Sequence, residues 1–226
     1  MSAAKRFARG LIERLAASRG YRLVPFQARG EAWQNTFFDE TAPIPADLEK
    51  TLNPNSPRLT ELKAAYARLD WPVTRHSHWH EHSLDSVDLR YFRGDNPYVW
   101  QYRETDHRAS ALRYYVYLKY VLDRDRLSLV DKLGEDGAFG CHTYRFPGYP
   151  ACSRDLLESA TELSFLDQHA ELLGRDHLRV LDVGAGYGRL AHRTAQAASD
   201  LVDFVCVDAV AESTFLCEQY VAHRNV

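Results

Sequence analysis

The spacing of apolar residues predicts a mainly helical chain up to about residue 150. In several segments apolar side chains recur every three or four positions, which is the period of an amphipathic helix. This period, and the places where glycine or proline interrupts it, predict helices at residues 4–18, 59–69, 110–122 and 125–133, with one helical turn at 47–52. The first of these carries basic side chains away from its apolar face, so it either packs on the domain, which we favour, or offers a basic surface to a partner or a membrane.

After residue 150 the pattern alternates between helix and strand. Ser153 is a good N-cap for a helix whose apolar stripe runs to Leu173 and which Gly174 closes. Two short apolar runs, 180–183 and 204–207, predict buried strands, the first in a sheet that starts at residue 178, and a last helix is predicted at about 212–223.

These elements define the predicted fold class, which is α/β. Residues 1–150 form a helical N-terminal region, and residues 151–226 form the start of a Rossmann-like domain with its first two strands and flanking helices only.

A glycine-rich turn follows the first predicted strand directly. Gly184, Gly186 and Gly188 come at alternate positions, and the second strand ends on Asp208, 24 positions after the first glycine. In a β-α-β unit such a turn lets the backbone approach a nucleotide, and the acid accepts a hydrogen bond from a ribose hydroxyl. The alternative is a plain turn with Asp208 as a helix N-cap. We favour the nucleotide site because acids stand both before and after the turn.

The residues around the turn favour S-adenosylmethionine over a dinucleotide. The dinucleotide pattern G-x-G-x-x-G requires a third glycine where this chain has Arg189, and Gly188 comes one position early. Asp182 lies inside the strand just before the turn, where its carboxylate would repel a pyrophosphate. The same carboxylate suits the ammonium and sulfonium groups of S-adenosylmethionine.

Two motifs resemble those of the class I methyltransferases. Residues 182–188, D-V-G-A-G-Y-G, resemble their motif I, and V-D-A at 207–209 resembles the site of their ribose-binding acid. The segments 91–101, 135–140, 153–159, 181–193 and 208–216 together resemble a bacterial family of sugar O-methyltransferases.

The resemblance implies how the cofactor is held and what the protein does. The cofactor-binding residues it implies are Asp182, Gly184, Ala185, Gly186, Tyr187, Gly188, Asp208 and Ala209. Among them, Asp182 holds the methionine end and Asp208 the ribose, while Arg154 is a further candidate for the cofactor carboxylate. The implied activity is methyl transfer from S-adenosylmethionine to a hydroxyl of a sugar or a sugar-containing metabolite, with no catalytic base assigned.

The resemblance also implies seven strands around the cofactor, whereas this sequence supplies two before it ends at Val226. We therefore expect an incomplete form of a methyltransferase, with weak or no cofactor binding, no turnover and self-association through an open sheet edge. Two alternatives remain. One is an NAD-dependent oxidoreductase, and the other is a non-catalytic helical interaction module with a relic nucleotide fold.

Composition excludes several classes of protein. The chain has 226 residues, of which 45% are hydrophobic and 26% charged, with a net charge of −3, so nothing indicates nucleic acid or an anionic membrane as a partner. No secretory signal or membrane-spanning run is evident. The four cysteines show no C-x-x-C spacing, which favours a reduced, cytoplasmic protein.

Two further clusters have structural and functional interpretations. His76, His78, His80 and His82 would share one face of a strand, but a metal needs ligands that converge from several directions, so we expect no metal site. The aromatic residues Tyr91, Phe92, Tyr98, Trp100 and Tyr102 surround a turn. They would either stack on a sugar or belong to the core, and we favour the core.

Overall fold

The computed structural model describes residues 42–69, 88–94, 107–174, 177–198 and 202–226, together with residues 12, 18, 38 and 39. The chain divides into two compact units, Met1–Thr36 and Phe37–Val226. The predicted boundary at residue 150 falls inside the second unit. Most of the predicted helix at 4–18, the four histidines and the aromatic residues at 98, 100 and 102 lie outside the described residues.

The described elements form a mostly helical α/β arrangement. The α-helices are α1 (Ala46–Glu49), α2 (Pro57–Tyr66), α3 (His107–Leu122), α4 (Leu129–Leu133), α5 (Arg154–Ala170), α6 (Arg189–Ala197) and α7 (Ala211–Arg224), and a short 3-10 helix covers Leu89–Tyr91. The strands are β1 (Phe38–Asp39), β2 (Thr143–Tyr144), β3 (Leu178–Val183) and β4 (Val202–Val207). Within the described ranges, no helix has the length and apolar composition needed to cross a bilayer.

The two sheets differ in direction. β1 and β2 are antiparallel. β3 and β4 are parallel along six residues, with Leu178 opposite Val202 and Val183 opposite Val207. The helix α6 connects β3 to β4, so the predicted β-α-β unit is present. Because both strands run the same way, their carboxyl ends meet at one edge of the sheet.

Helix α5 begins as predicted but ends earlier. The Ser153 hydroxyl accepts a hydrogen bond from the Leu156 amide at 3.0 Å, as an N-cap does. The helix ends at Ala170 because Glu171 takes a left-handed conformation with φ of +54°. The Asp167 carboxylate then accepts a hydrogen bond from the Leu173 amide at 2.9 Å and holds the following turn. The predicted end at Gly174 is therefore wrong by one turn.

Helix α2 buries a different face from the one predicted. It begins at Pro57, whose fixed φ suits the first helical position, and ends at Tyr66. The apolar period of the sequence predicts one face made of Leu59, Leu62, Ala65 and Leu69. Leu59 and Leu62 are buried, but Ala65 is exposed and Leu69 lies beyond the helix. Tyr66 completes the packed face instead.

Helix α4 is shorter than the predicted segment 125–133. Asp125 lies outside the helix, and its two carboxylate oxygens accept hydrogen bonds from the amides of Leu129 and Val130, each at 2.8 Å. A side chain that satisfies free amides at a helix start stabilises that start. Gly134, the glycine directly after the predicted segment, closes the helix with φ of +59°.

Two buried clusters form the core. One joins α3, α4 and α5 through residues that include Leu118, Leu129, Leu156, Leu157 and Leu163. The other joins α2, α7 and the 3-10 helix through residues that include Leu59, Phe92, Phe139, Phe215 and Tyr220. Tyr187, from the glycine-rich turn, belongs to the second cluster.

One face of the parallel sheet is exposed. Leu178 and Val180 pack against the core that contains α5. The opposite face carries Leu181, Val183, Val205 and Val207, which are 64%, 76%, 55% and 41% exposed. Parallel strands are normally covered on both faces. The prediction that both strands are buried is wrong for this face.

Candidate functional site

The glycine-rich turn at the end of β3 uses its three glycines in two ways. Gly184, Gly186 and Gly188 all have positive φ, at +81°, +57° and +81°, a conformation that favours glycine. A Cβ at Gly184 or Gly186 would meet nothing within 4 Å, whereas one at Gly188 would lie 2.9 Å from the Cys217 sulfur. The first two glycines thus border open space, and the third allows α7 to pack closely.

Backbone amides of the turn form hydrogen bonds to residues at the end of β4. The amides of Gly184 and Ala185 both donate to the Val207 carbonyl, at 2.8 and 3.1 Å. The Gly186 amide donates to Oδ2 of Asp208 at 2.9 Å. Phosphate sites at helix N-termini depend on amides that point at the ligand. These three amides already have protein acceptors, which counts against a pyrophosphate here.

Asp208 organises the turn rather than capping α7. Its Oδ1 accepts a hydrogen bond from the Val210 amide at 2.9 Å. The N-cap of α7 is Val210, which makes no side-chain cap hydrogen bond, so the N-cap alternative is wrong. A carboxylate has about four acceptor positions, so the half-buried Asp208 retains capacity for a ligand hydroxyl. Ala209 follows it and is exposed.

Helix α2 supports this acid from a distant part of the sequence. The Tyr66 hydroxyl donates to the Asp208 carbonyl at 3.0 Å and lies 2.6 Å from Oγ1 of Thr214. Arg58 also forms a bidentate pair with Glu218 of α7, at 2.9 and 2.6 Å. No local pattern in the sequence indicated these contacts, because they join residues that are more than 100 positions apart.

An open cleft of about 360 Å³ lies beside the turn. Its lining residues come from α5, the end of β3 and the start of α6: Glu162, Phe165, Leu166, Asp182, Gly184, Ala185, Arg189 and Leu190. Burial raises the pKa of Asp182, Arg189 opposes the rise, and the charges of Glu162 and Asp208 reinforce it. With three carboxylates and one guanidinium at this edge, the cleft favours a cationic group.

Arg189 and Glu162 are site residues that the sequence analysis did not assign. The Arg189 guanidinium donates to Ser159 Oγ at 2.9 Å and to a Glu162 carboxylate oxygen at 2.8 Å. Arg154, the predicted carboxylate-binding residue, is not among the cleft-lining residues and instead donates to Glu158 at 2.7 Å. The only sign of a role for Arg189 in the sequence was that it stands where the dinucleotide pattern requires a glycine.

Tyr187 faces the interior and not the cleft. Its ring centroid lies 5.0 Å from that of Phe92 and 5.2 Å from that of Tyr220. Its hydroxyl donates to the carboxylate of Asp155. Burial raises the pKa of Tyr187, so the hydroxyl stays protonated as a donor. The side chain therefore anchors the turn to the core.

A buried ionic network lies beneath the turn. Its members are Arg93, Glu135, Asp155 and Arg193, whose side chains are at most 3% exposed. Arg93 donates to Glu135 at 3.0 and 3.1 Å, and Arg193 donates to Asp155 at 2.6 Å and to Glu135 at 3.1 Å. Two positive and two negative charges balance. Burial alone would raise the pKa of Asp155, but the charges of Arg93 and Arg193 hold it well below its usual range.

His192 adds an acid-sensitive group beside this network. It is buried, and its Nδ1 lies 2.9 Å from the Tyr220 hydroxyl. Burial, and to a lesser extent the charge of Arg193, lowers the pKa of His192 to about 3.

We predict that His192 contributes to acid destabilisation. Its folded pKa lies below the ordinary value, so its share of stability is complete above the unfolded pKa of about 6.5 and is lost as pH falls towards 3. When the pH is lowered from 6.5 to 4, the free energy of unfolding should fall less for His192→Gln than for the parent chain. Urea denaturation across this range is the measurement, and parallel curves for the two proteins would contradict the prediction.

The described residues contain no group of three or more histidine, cysteine, aspartate or glutamate side chains placed to hold a metal ion. Comparison with protein-family models, with curated proteins and with solved structures finds no match. The functional assignment therefore depends on the site itself.

Proposed function

We propose that the cleft beside the glycine-rich turn binds S-adenosylmethionine and that the protein is an O-methyltransferase. The observation that carries the proposal is the acidic cleft at the carboxyl edge of β3 and β4. Asp182 suits the ammonium and sulfonium groups of the cofactor, Arg189 suits its carboxylate, and Asp208 suits its ribose. Gly184 and Gly186 leave room for the cofactor to approach the backbone of the turn.

The chemistry we propose is an in-line displacement at the sulfonium methyl. Bound S-adenosylmethionine would supply the methyl group, and the chain would have to hold the acceptor oxygen beside it. A hydroxyl acceptor also needs a general base to take its proton, and we assign no residue to that role. The sugar as acceptor follows from the sequence resemblance, and the four free cysteines agree with a cytoplasmic enzyme.

Calorimetry with two ligands tests the proposal. S-adenosylhomocysteine, the demethylated product, should bind in preference to NAD, because the turn amides are already engaged and Asp182 repels a pyrophosphate. Binding of NAD together with no binding of S-adenosylhomocysteine would overturn the proposal and favour an oxidoreductase.

The role of Asp182 gives a prediction with opposite effects on stability and binding. Asp182→Asn removes a half-buried carboxylate whose pKa is raised by burial. At pH 7 we expect an unchanged or higher melting temperature and an affinity for S-adenosylhomocysteine that is lower by about tenfold, the loss of one charged hydrogen bond. Thermal melting and calorimetry measure the two effects.

The pH dependence provides the control. Because the folded pKa of Asp182 is raised, ionisation destabilises the fold as pH rises above the unfolded value of about 3.9. Any gain in melting temperature from Asp182→Asn should therefore vanish below that pH. A variant with lower stability at pH 7 and unchanged affinity would show that Asp182 is structural.

One observation favours the second candidate, an interaction module. The exposed sheet face presents four adjacent aliphatic side chains, and no described strand pairs with the outer edge of β3. Open edges and apolar faces recruit other chains.

We accordingly predict self-association through this sheet. The double substitution of Val183 and Val205 by lysine should shift the chain towards monomer in sedimentation velocity, because each charge would be desolvated in the contact. Val116→Lys is the matched control, since Val116 is 59% exposed on α3, away from the sheet. An equal effect of both changes would indicate nonspecific association, and no effect of the double substitution would place the contact elsewhere.

A further inference from the structure

A second cleft, of about 230 Å³, lies beside the later part of α6 and shares no lining residue with the first. Its walls come from the end of α4 and the loop after it, from α6 and from the end of α7, and they include Glu135, Asp136, His192, Arg193, Gln196 and Arg224. Pockets for drug-sized ligands hold about 300–1,000 Å³. This second cleft therefore suits a ligand of few atoms.

His192 gives the second cleft a buried hydrogen-bond donor. The residue is 4% exposed, and its Nδ1 lies 2.9 Å from the Tyr220 hydroxyl. Burial raises the pKa of Tyr220, and its hydroxyl has no other acceptor in the described part of the chain, so it donates to Nδ1. The neutral imidazole then carries its proton on Nε2. Since no described residue accepts a hydrogen bond from Nε2, this N–H group is available to a ligand.

Arg224 supplies a second donor that the protein leaves unpaired. Its Nη1 donates to Oδ2 of Asp136, whereas its Nε is enclosed and has no hydrogen-bond partner among the described residues. The great majority of buried donors in proteins are paired with a protein group, an ordered water or an ion. The unpaired N–H of Arg224 therefore indicates an acceptor that the chain itself does not supply.

Gln196 supplies a third donor at the rim of the second cleft. The side chain of Arg193 is 3% exposed, and its Nη1 donates to Oε1 of Gln196 at 3.0 Å. This bond fixes which end of the Gln196 amide faces Arg193. The NH2 end has no acceptor in the described part of the chain and, because Gln196 is exposed, a ligand can reach it.

The carboxylates of the second cleft are already engaged. Both oxygens of Glu135 accept from Arg93, at 3.0 and 3.1 Å. One oxygen of Asp136 accepts from Arg93 at 3.2 Å and the other from Arg224. Burial lowers the pKa of His192 most, and the charges of the nearby arginines lower it further. The inner end of the cleft thus has a surplus of N–H donors and a positive potential.

We propose that the second cleft binds a small carboxylate ligand, whose oxygens accept hydrogen bonds from His192 Nε2, Arg224 Nε and the Gln196 amide. A carboxylate only accepts hydrogen bonds and has about four acceptor positions, and it forms strong, charge-assisted bonds with a guanidinium. Asp136 opposes the ligand, because it already accepts from Arg224 and repels a second carboxylate.

The test titrates the full chain at pH 7 and constant ionic strength with sodium acetate and, separately, with acetamide, its neutral analogue of similar shape. The NMR chemical shifts of the His192 ring and the Gln196 amide are measured as each probe is added. We expect a saturable shift for acetate and an affinity about tenfold lower for acetamide, which lacks the charge that strengthens these hydrogen bonds.

Substitutions sharpen the test. Gln196→Ala changes an exposed residue and should lower the acetate affinity, and Arg224→Gln should lower it by about tenfold or more. Asp136→Asn should raise it, because the competing carboxylate is removed. Arg124→Gln is the matched control, since it removes a guanidinium that pairs with Asp123 on the surface, and it should leave the affinity unchanged.

Equal affinities for acetate and acetamide, or equal losses from Arg224→Gln and Arg124→Gln, would overturn the carboxylate site. Tighter binding of inorganic phosphate than of acetate would also overturn it, since the ligand would then be a tetrahedral oxyanion. If Arg224→Gln does not fold, an unchanged acetate affinity in both Gln196→Ala and Asp136→Asn overturns the proposal as well. None of these outcomes depends on whether S-adenosylhomocysteine binds, so this site stands or falls independently of the proposed function.

Discussion

Asp155→Asn should lower the free energy of unfolding by about 3–5 kcal/mol, the usual cost of breaking a buried ion pair by removing one partner. The substitution preserves the shape of the side chain but leaves Arg93 and Arg193 with one buried carboxylate between them. It also weakens the acceptor of the Tyr187 hydroxyl. Since domains are stable by only about 5–15 kcal/mol, we expect a large drop in the urea midpoint at pH 7.

Glu158→Gln is the matched control for this prediction. Glu158 lies on the same helix and pairs with Arg154 at 2.7 Å, but both side chains reach solvent. Its loss should cost no more than about 0.5 kcal/mol. The folded pKa of Asp155 is depressed, so its contribution is complete above the unfolded pKa and is lost as pH falls through the folded value. Equal effects of the two changes at pH 7 would disprove a dominant role for the network.

The network explains why separate segments of the sequence belong together. Arg93, Glu135, Asp155 and Arg193 each come from a different one of the segments that carry the sequence resemblance. The sequence shows these segments only as isolated stretches, because charge pairing between residues 38–62 positions apart leaves no local pattern. The structure adds a physical reason for their joint presence, which is the support of the turn through Tyr187.

Local rules predicted the parts of the site that depend on local geometry. The Ser153 cap, the strand before the turn and the glycine-rich turn itself all follow from neighbouring residues. The contact of Tyr66 with the Asp208 loop could not be predicted in this way, because it depends on how α2 packs against α7. The exposed sheet face was also missed, because an aliphatic strand pattern indicates burial without showing what covers each face.

Replacing glycines of the turn by alanine should have the second large effect on stability. The size of the loss should depend on the position, because the glycines have different surroundings. Alanine at any of the three positions must adopt positive φ, which costs about 1–2 kcal/mol. At Gly188 the new Cβ would also lie 2.9 Å from the Cys217 sulfur and 3.0 Å from a Val221 methyl, and overpacking adds about 1–3 kcal/mol. Gly188→Ala should therefore destabilise the fold more than Gly186→Ala, as measured by urea denaturation.

Ligand binding should rank the same two variants in the opposite order. Gly186 borders open space, so a methyl group there meets no protein atom but would occupy the path of a ligand that approaches the backbone. At a temperature where both variants remain folded, Gly186→Ala should lose most of its affinity for S-adenosylhomocysteine, while Gly188→Ala should retain it because its methyl group points at α7. If Gly186→Ala binds as the parent chain does, the open side of the turn is not the cofactor site. If both variants lose binding in proportion to their stability, the turn acts only through the fold.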